Sequence, residues 1–354
     1  MRISDFRSDT VTKPTPEMYE AIMKAPLGDD VFGDDPTVIK LERLAAEITG
    51  FEAALFVPSG TMGNAIAVRV WTKEGTEVIL EEMCHIYTSE VGHIAYISRA
   101  IPRPLKSKRG IIDPEDIKKA IRKEELHRCG TSLVCLENTH NYWGGKTLTP
   151  DYVSEVYKIC KEQDLPLHMD GARIFNACIF LKVDVKAFTK NLDSLMFCLS
   201  KGLSSPVGSI LCGSKEFIEK ARRVRKLLGG GMRQAGILAA CGIVSLEKMI
   251  WRLEEDHRNA RKLVEGLSKF EFLKINPDDV ETNIVIVETT VDPQKILGFL
   301  EYHGILALQF GPGRIRFVTH KDINEEDVAR VIEVLKKFRA SNTFLFSKYN
   351  TLPS

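Results

Sequence analysis

The chain lacks several things that would have placed it quickly. Its eight cysteines form no Cys-x-x-Cys pair. Several stand inside apolar runs, Cys135 within 133–136 and Cys198 within 195–199. That pattern argues against a disulfide frame and predicts reduced, buried thiols in a cytoplasmic protein. No apolar stretch approaches the roughly 20 residues of a membrane-spanning helix. The first fourteen residues, MRISDFRSDTVTKP, have no apolar core of the kind a signal peptide needs, and they are too short and too acidic for a transit peptide. An excess of one charge is missing too. Lys and Arg number 49 against 48 Asp and Glu, a net charge of +1, so no global field holds a polyanion and nucleic acid is not an expected partner. Neither an internal repeat nor a G-x-G-x-x-G or G-x-S-x-G motif occurs.

What is present is ordinary globular material, 44% hydrophobic and 27% charged. At about 150 residues per domain, the length predicts two domains. Residues 1–36 read as an irregular segment punctuated by Pro14, Pro16, Pro26 and Pro36. Apolar Val38, Leu41, Leu44, Ala45 and Ile48 predict a helix over 37–49. Short apolar runs predict strands over 53–57, 77–80, 131–136, 165–169, 194–199 and 207–211, with helices over 61–72, 114–122, 150–162 and 172–180 between several of them. This alternation predicts an α/β domain over 37–250 with a doubly wound, mostly parallel sheet. From 214 onward the pattern changes to long helices over 215–228, 232–249 and 251–270. A strand (283–287), a helix (292–302), a strand (315–318) and a helix (324–338) follow, which predicts a small α+β domain over 251–340. Residues 341–354 carry no period and read as a tail.

Ligands of open α/β sheets sit at the carboxyl ends of the strands, so the residues that follow strands carry the functional signal. After the 53–57 run comes Pro58-Ser59-Gly60-Thr61-Met62-Gly63-Asn64, opening a helix. Small residues at such a turn let backbone N–H groups and the helix N-terminus face an anion, with Ser59 and Thr61 adding hydroxyls. A simple N-cap by Ser59 is the plain alternative. After 165–169 comes Asp170, a carboxylate that can pair with a cation or merely cap the next helix. After 194–199 comes Lys201, whose amine would be a nucleophile if partly desolvated and only a solvated charge otherwise. Together an anion cradle, a carboxylate and an amine on three strand ends are what pyridoxal 5′-phosphate requires.

Further motifs make that likeness specific: Arg7-Ser8-Asp9-Thr10-Val11-Thr12, Gly28-Asp29-Asp30-Val31, Glu137-Asn138-Thr139-His140-Asn141, His168-Met169-Asp170-Gly171-Ala172-Arg173, Ser200-Lys201-Gly202, Gly229-Gly230-Gly231-Met232-Arg233-Gln234 and Arg316-Phe317-Val318-Thr319-His320. The sequence resembles the low-specificity L-threonine and L-allo-threonine aldolases, pyridoxal-phosphate enzymes of fold type I, from Phe6 to about Leu335. The resemblance implies a seven-stranded large sheet, with residues 1–36 contributing to the active site. It implies that Lys201 forms the Schiff base, that Asp170 holds the pyridinium nitrogen, and that Ser59, Gly60 and Thr61 bind the phosphate. His85 is expected to stack on the cofactor ring near the substrate hydroxyl, with His127 as a second imidazole. Ser8, Arg173 and Arg316 are expected to bind the substrate carboxylate, Arg173 also standing close to the cofactor. Arg314 and Arg316 are read as facing opposite sides of their strand, one toward the site and one toward solvent. Lys226 and Arg233 are expected to reach the phosphate of a neighbouring subunit, which implies a dimer with shared active sites, usually paired into a tetramer. Phe32 is a departure, standing where the family commonly has tyrosine.

The implied reaction is retro-aldol cleavage of L-threonine or L-allo-threonine to glycine and acetaldehyde, with His85, His127 or water taking the hydroxyl proton. Alternatives on the same scaffold are a β-eliminating lyase, a serine hydroxymethyltransferase-like enzyme and a racemase; outside it stands a non-catalytic ligand-binding module. No metal is expected. Glu90-x-x-His93, Glu137-x-x-His140 and Glu254-x-x-His257 have carboxylate–histidine spacing, but such metal sites need facing helices of a bundle. Gly145-Lys146-Thr147 ends like a P-loop, yet His140 stands where the first glycine belongs.

Overall fold

The computed structural model describes residues 2–349. It divides into a large unit, Thr12–Trp251, and a small unit made of Met1–Val11 with Arg252–Ser354.

The large unit is built on seven strands: β1 (Ala53–Val57), β2 (Glu77–Glu81), β3 (Ile101–Leu105), β4 (Thr131–Glu137), β5 (Leu167–Asp170), β6 (Ser194–Cys198) and β7 (Ser209–Gly213). Their order across the sheet is β1-β7-β6-β5-β4-β2-β3. All pairs are parallel except those of β7, which runs antiparallel to both β1 and β6. β1 therefore points the same way as β6, β5, β4 and β2, and the carboxyl ends of all five share one edge. β2, β6 and β7 are buried along their whole length, as strands covered on both faces must be. The expected doubly wound α/β fold and the implied seventh strand are both present. That strand, β3, reads Ile-Pro-Arg-Pro-Leu, and its two prolines hide it in the sequence. It is tolerated because β3 is an edge strand paired only to β2, where a missing N–H can face away from the ladder.

The expected irregular segment also contains order. Pro16–Lys24 is a helix, capped by Thr15 Oγ1 accepting from Met18 N at 3.3 Å, with Pro16 in its first turn. Proline starts a helix here rather than breaking one. Farther along, the helix expected over 232–249 begins only at Gly236 and ends in a π turn over Ser245–Met249.

Asp35 ties three of these pieces together. It is buried, and its Oδ1 accepts from Thr37 N and Val38 N, both at 3.0 Å, capping the helix Pro36–Thr49. Its Oδ2 accepts from Gly28 N at 3.2 Å and from Gly236 N at 2.9 Å. Beside it, the buried Arg225–Asp30 ion pair (2.9 Å) and the bond from Arg225 to Phe56 O (2.7 Å) fasten loop 28–35 to the helix Lys215–Leu227.

The small unit has a four-stranded antiparallel sheet, in the order Leu308–Gln309, Arg314–Val318, Ile284–Thr289, Leu273–Lys274. The helices Leu253–Leu267, Pro293–Tyr302 and Glu325–Tyr349 accompany it. Its core gathers Phe6, Leu263, Val264, Ile296, Val331 and Phe317. Ser4–Asp5 pairs in parallel with Ile305–Leu306, so residues 2–11 are part of this unit and not an irregular leader to the large one. The expected tail is also corrected as far as Tyr349, because the last helix continues through it; residues 350–354 lie outside the described residues.

Asp35→Ala removes the acceptor of four backbone donors and should destabilise the protein by about 2–4 kcal/mol, read from urea unfolding. Asp35→Asn keeps one acceptor oxygen and should lose less. Equal stability of the alanine variant and the native chain would contradict this account.

Candidate active site

The carboxyl edge of the large sheet carries three acidic side chains on adjacent strands: Glu81 ends β2, Glu137 ends β4 and Asp170 ends β5. All three are buried. Asp170 is only 1% exposed. Its Oδ1 accepts from Ala172 N at 3.0 Å and its Oδ2 from Asn64 Nδ2 at 2.9 Å. Burial, then the negative charges of Glu137 and Glu90, push its pKa up to about 6, against the pull of His85 and Lys201.

Lys201 lies three residues past the end of β6, half-buried, in a loop pinned on several sides. Lys201 O accepts from Thr12 Oγ1 at 3.0 Å and from Ser204 N at 2.8 Å. Ser245 Oγ donates to Leu203 O at 2.8 Å and lies 2.8 Å from Ser205 Oγ.

Ser59 follows β1 and caps the helix Gly60–Trp71, its Oγ accepting from Met62 N at 3.2 Å. Ser59 and Thr61 are exposed at this helix start. The helix lies close on β6. A Cβ on Gly60 would stand 2.9 Å from Cys198 Sγ, and one on Gly63 would stand 2.7 Å from Met196 Cγ. Only glycine lets the N-terminus approach the strand that leads to Lys201.

His85 opens the short helix His85–Thr88 that follows β2, and its backbone N–H donates to Glu137 Oε2 at 2.6 Å. Its ring Nδ1 lies 2.8 Å from Glu90 Oε1. Partial burial opposes charge on this ring, but the Glu90 hydrogen bond and the charges of Asp170, Glu90 and Glu137 outweigh it, so its pKa is raised. Glu90 also takes Asn64 Nδ2 on Oε1 at 2.9 Å and His93 Nε2 on Oε2 at 2.9 Å, and its own pKa is lowered. Two of the three carboxylate–histidine spacings thus fall within hydrogen-bond networks. Glu90 holds His85 and His93, while His140 binds Glu81 through Nε2 at 3.0 Å. Ligand atoms of His85, Glu90 and Asp170 lie within 4.8 Å of one another, and N–H donors of Asn64, Ala172 and His93 already face the oxygens of the two carboxylates.

The structure therefore brings together Lys201, Asp170, His85 and the Ser59–Gly60–Thr61 turn. Arg173 is buried immediately after the β5 edge. Lys226 is exposed at the end of its helix. Arg233 pairs with Asp29 Oδ2 at 3.0 Å, and its guanidinium lies 5.9 Å from the centroid of the exposed Phe32 ring. His127 does not join the cluster within this chain. It sits on an exposed turn closed by the Glu125–Arg128 bridge, just before β4 begins, at the opposite edge of the sheet. Seven residues of strand, roughly 20 Å, separate the two edges. Ser8 and Arg316 belong to the small unit, where Arg316 is buried, donates to Arg7 O at 3.1 Å and stacks on Phe310 at 4.6 Å. Arg314 lies over the same ring at 5.9 Å. The two arginines thus share a face, correcting the expectation of opposite faces, because residues two apart on a strand point the same way.

The sheet order and the residues on its carboxyl edge define a fold type I α/β enzyme. The solved structure of Leishmania major threonine aldolase has the same fold, with a TM-score of 0.81 at 21% identity, covering 94% of this chain and 99% of that one. Serine palmitoyltransferase of Sphingomonas wittichii shares it too, with a TM-score of 0.77 at 16% identity over 97% of this chain and 89% of that one. The model of the Beta-eliminating lyase family matches residues 5–290. Low-specificity L-threonine aldolase 1 of Arabidopsis thaliana is 46% identical over 93% of this chain and 94% of its own. The low specificity L-threonine aldolase of Escherichia coli K12 is 41% identical over 95% and 99%. The chain belongs to the β-eliminating lyase family and, within it, to the low-specificity L-threonine aldolases.

Asp170 yields a pH test. Its folded-state pKa is raised, so the stability it contributes is full below the unfolded value of 3.8 and is lost as pH rises through about 6. Relative to the native chain, ligand-free Asp170→Asn should gain about 1–2 kcal/mol between pH 5 and 8. Chemical denaturation at both pH values measures it, and parallel behaviour of the two proteins would show that Asp170 carries no raised pKa.

Proposed function

We propose that this protein cleaves L-threonine, L-allo-threonine and related β-hydroxy-α-amino acids to glycine and an aldehyde, using pyridoxal 5′-phosphate. The observation that carries this reading is the convergence, on one sheet edge, of a buried carboxylate, an amine and a carboxylate-bound imidazole beside an exposed helix N-terminus. Membership in the aldolase family supports the reaction class.

The residues present fit the cofactor. Asp170 is a buried carboxylate whose charge is opposed by Glu137 and Glu90, so a protonated ring nitrogen is the partner it lacks. The turn at Ser59, Gly60 and Thr61 offers hydroxyls, N–H groups and a helix dipole to a phosphate. Lys201 would hold the cofactor's aldehyde carbon, and Arg173 would give a planar two-pronged grip on a carboxylate. Bound there, the cofactor supplies an electron sink for the bond that breaks between Cα and Cβ.

His85 is the proton acceptor in this reading. Glu90 fixes Nδ1 as its donor, which leaves Nε2 to take the β-hydroxyl proton as the aldehyde departs. A proton returned to Cα completes glycine. Only the neutral ring can accept, so activity should rise with pH through the raised pKa of His85. Removing the negative charge in Glu90→Gln should move this acid limb to lower pH, read from kcat/KM between pH 5 and 9.

We also assign Lys226 and Arg233 to the phosphate of a second copy, making the working unit an oligomer. The cytosol is its proposed compartment: the eight cysteines are free, and seven of them are buried. No helix among the described residues is long and apolar enough to cross a membrane.

Lys201→Ala should abolish acetaldehyde and glycine formation from L-threonine, and borohydride reduction of the loaded native enzyme should label Lys201. Turnover near the native rate in the variant would end this assignment. Pyruvate and ammonia as the products from a β-hydroxy amino acid would point instead to β-elimination.

A further inference from the structure

A chain of hydrogen bonds runs from the half-buried Trp71, at the end of the helix Gly60–Trp71, to the two carboxylates of the site. Trp71 Nε1 donates to Ser194 Oγ at 2.8 Å. Ser194 Oγ lies 2.9 Å from His168 Nδ1, and His168 Nε2 lies 3.1 Å from Asn64 Oδ1. Asn64 Nδ2 then reaches both Asp170 Oδ2 and Glu90 Oε1, each at 2.9 Å. Asn64, His168 and Ser194 are completely or almost completely buried.

The two ends of the chain settle its direction. An indole N–H can only donate and an ionised carboxylate can only accept. Ser194 receives from Trp71 and so passes its own hydrogen to His168 Nδ1. His168 then carries its hydrogen on Nε2 and gives it to Asn64 Oδ1. From the other end, an Asn64 oxygen turned toward Asp170 and Glu90 would face two negative charges, so the NH2 group must point there. Burial supports the same assignment by pushing the pKa of His168 down to about 3, which keeps the ring neutral.

We propose that Asn64 is the positioning residue that lets Asp170 and Glu90 stay ionised side by side, with His168 and Ser194 holding its amide in the one orientation that can do so. Two carboxylates this close ordinarily share a proton. One N–H to each offsets part of that pressure. Asp170 is then free to pair with the cofactor ring while Glu90 orients His85, so a single amide serves both halves of the chemistry. This inference rests on the reading of the site given under Proposed function.

Asn64→Ala removes both donors, so the pKa of Asp170 should rise further. Equilibrium dialysis of the holoenzyme from pH 5 to 8 reads this directly. The pH below which affinity is lost should move up by about one unit, so cofactor affinity should fall about twofold at pH 7 and about tenfold at pH 5, since only ionised Asp170 pairs with the ring. His168→Leu should shift the profile in the same direction by less. His168→Gln, which can still offer an N–H to Asn64, should recover part of the native profile. Should Asn64→Ala not fold, the leucine–glutamine pair at position 168 decides. A wild-type pH profile in Asn64→Ala, or the same profile for His168→Leu and His168→Gln, would overturn the proposal and leave these residues as mere packing. If the native protein itself retains no cofactor while Lys201→Ala behaves identically, the reading of the site fails instead.

Discussion

Negative charge brought together out of water is the constraint around which the large unit is arranged. Glu137 and Asp170 end neighbouring strands, and Glu90 reaches them from the segment after β2. Desolvation and mutual repulsion both press these groups toward protonation. The structure answers with donors. Backbone N–H groups of His85 and Asn141 meet Glu137, the N–H of Ala172 and the Asn64 amide meet Asp170, and two imidazoles with the same amide meet Glu90. The site is electrically expensive by itself, and a cationic ring nitrogen would complete it. Functional edges of this kind trade stability for a ready-made charge pattern.

Backbone geometry makes the pattern possible. A single antiparallel strand, β7, separates β1 from β6, yet β1 still points with the parallel set. The turn after β1 therefore arrives at the same edge as Lys201 and Asp170. Gly60 and Gly63 let the following helix settle on β6. Asp35 fixes where helix Pro36–Thr49, loop 28–35 and helix Gly236–Val244 meet.

Much of this was legible in residue order. The alternation of apolar runs with helical segments located six of the seven strands, and reading the residues after each strand found Asp170, Lys201 and the Ser59 turn. What escaped has physical causes. β3 was hidden because an edge strand can hold prolines that a central strand cannot. The helix Pro16–Lys24 was hidden because it buries only Met18 fully, so its sequence shows little periodicity. Residues 2–11 gave no sign of belonging to the small unit, since a two-residue strand pairing with residues 305–306 leaves no local pattern. Asn64 stood within a recognised motif, and Glu90 and His93 within a recognised spacing. The bonds of Asn64 to Glu90 and Asp170 span 26 and 106 residues of sequence, which no local period encodes. The distance of His127 from the cluster follows from strand direction, a property of the assembled sheet.

The loop around Lys201 bears on timing. Hydroxyls from Thr12 and Ser245 clasp its backbone on two sides, so the ammonium group can move only by turning about the bonds of its own side chain. Such rotations take picoseconds to nanoseconds, whereas a typical enzyme turns over in about a tenth of a second. If Lys201 holds the cofactor as proposed, its side chain can turn between partners many millions of times within a single turnover. That rotation by itself would then set no limit on the rate.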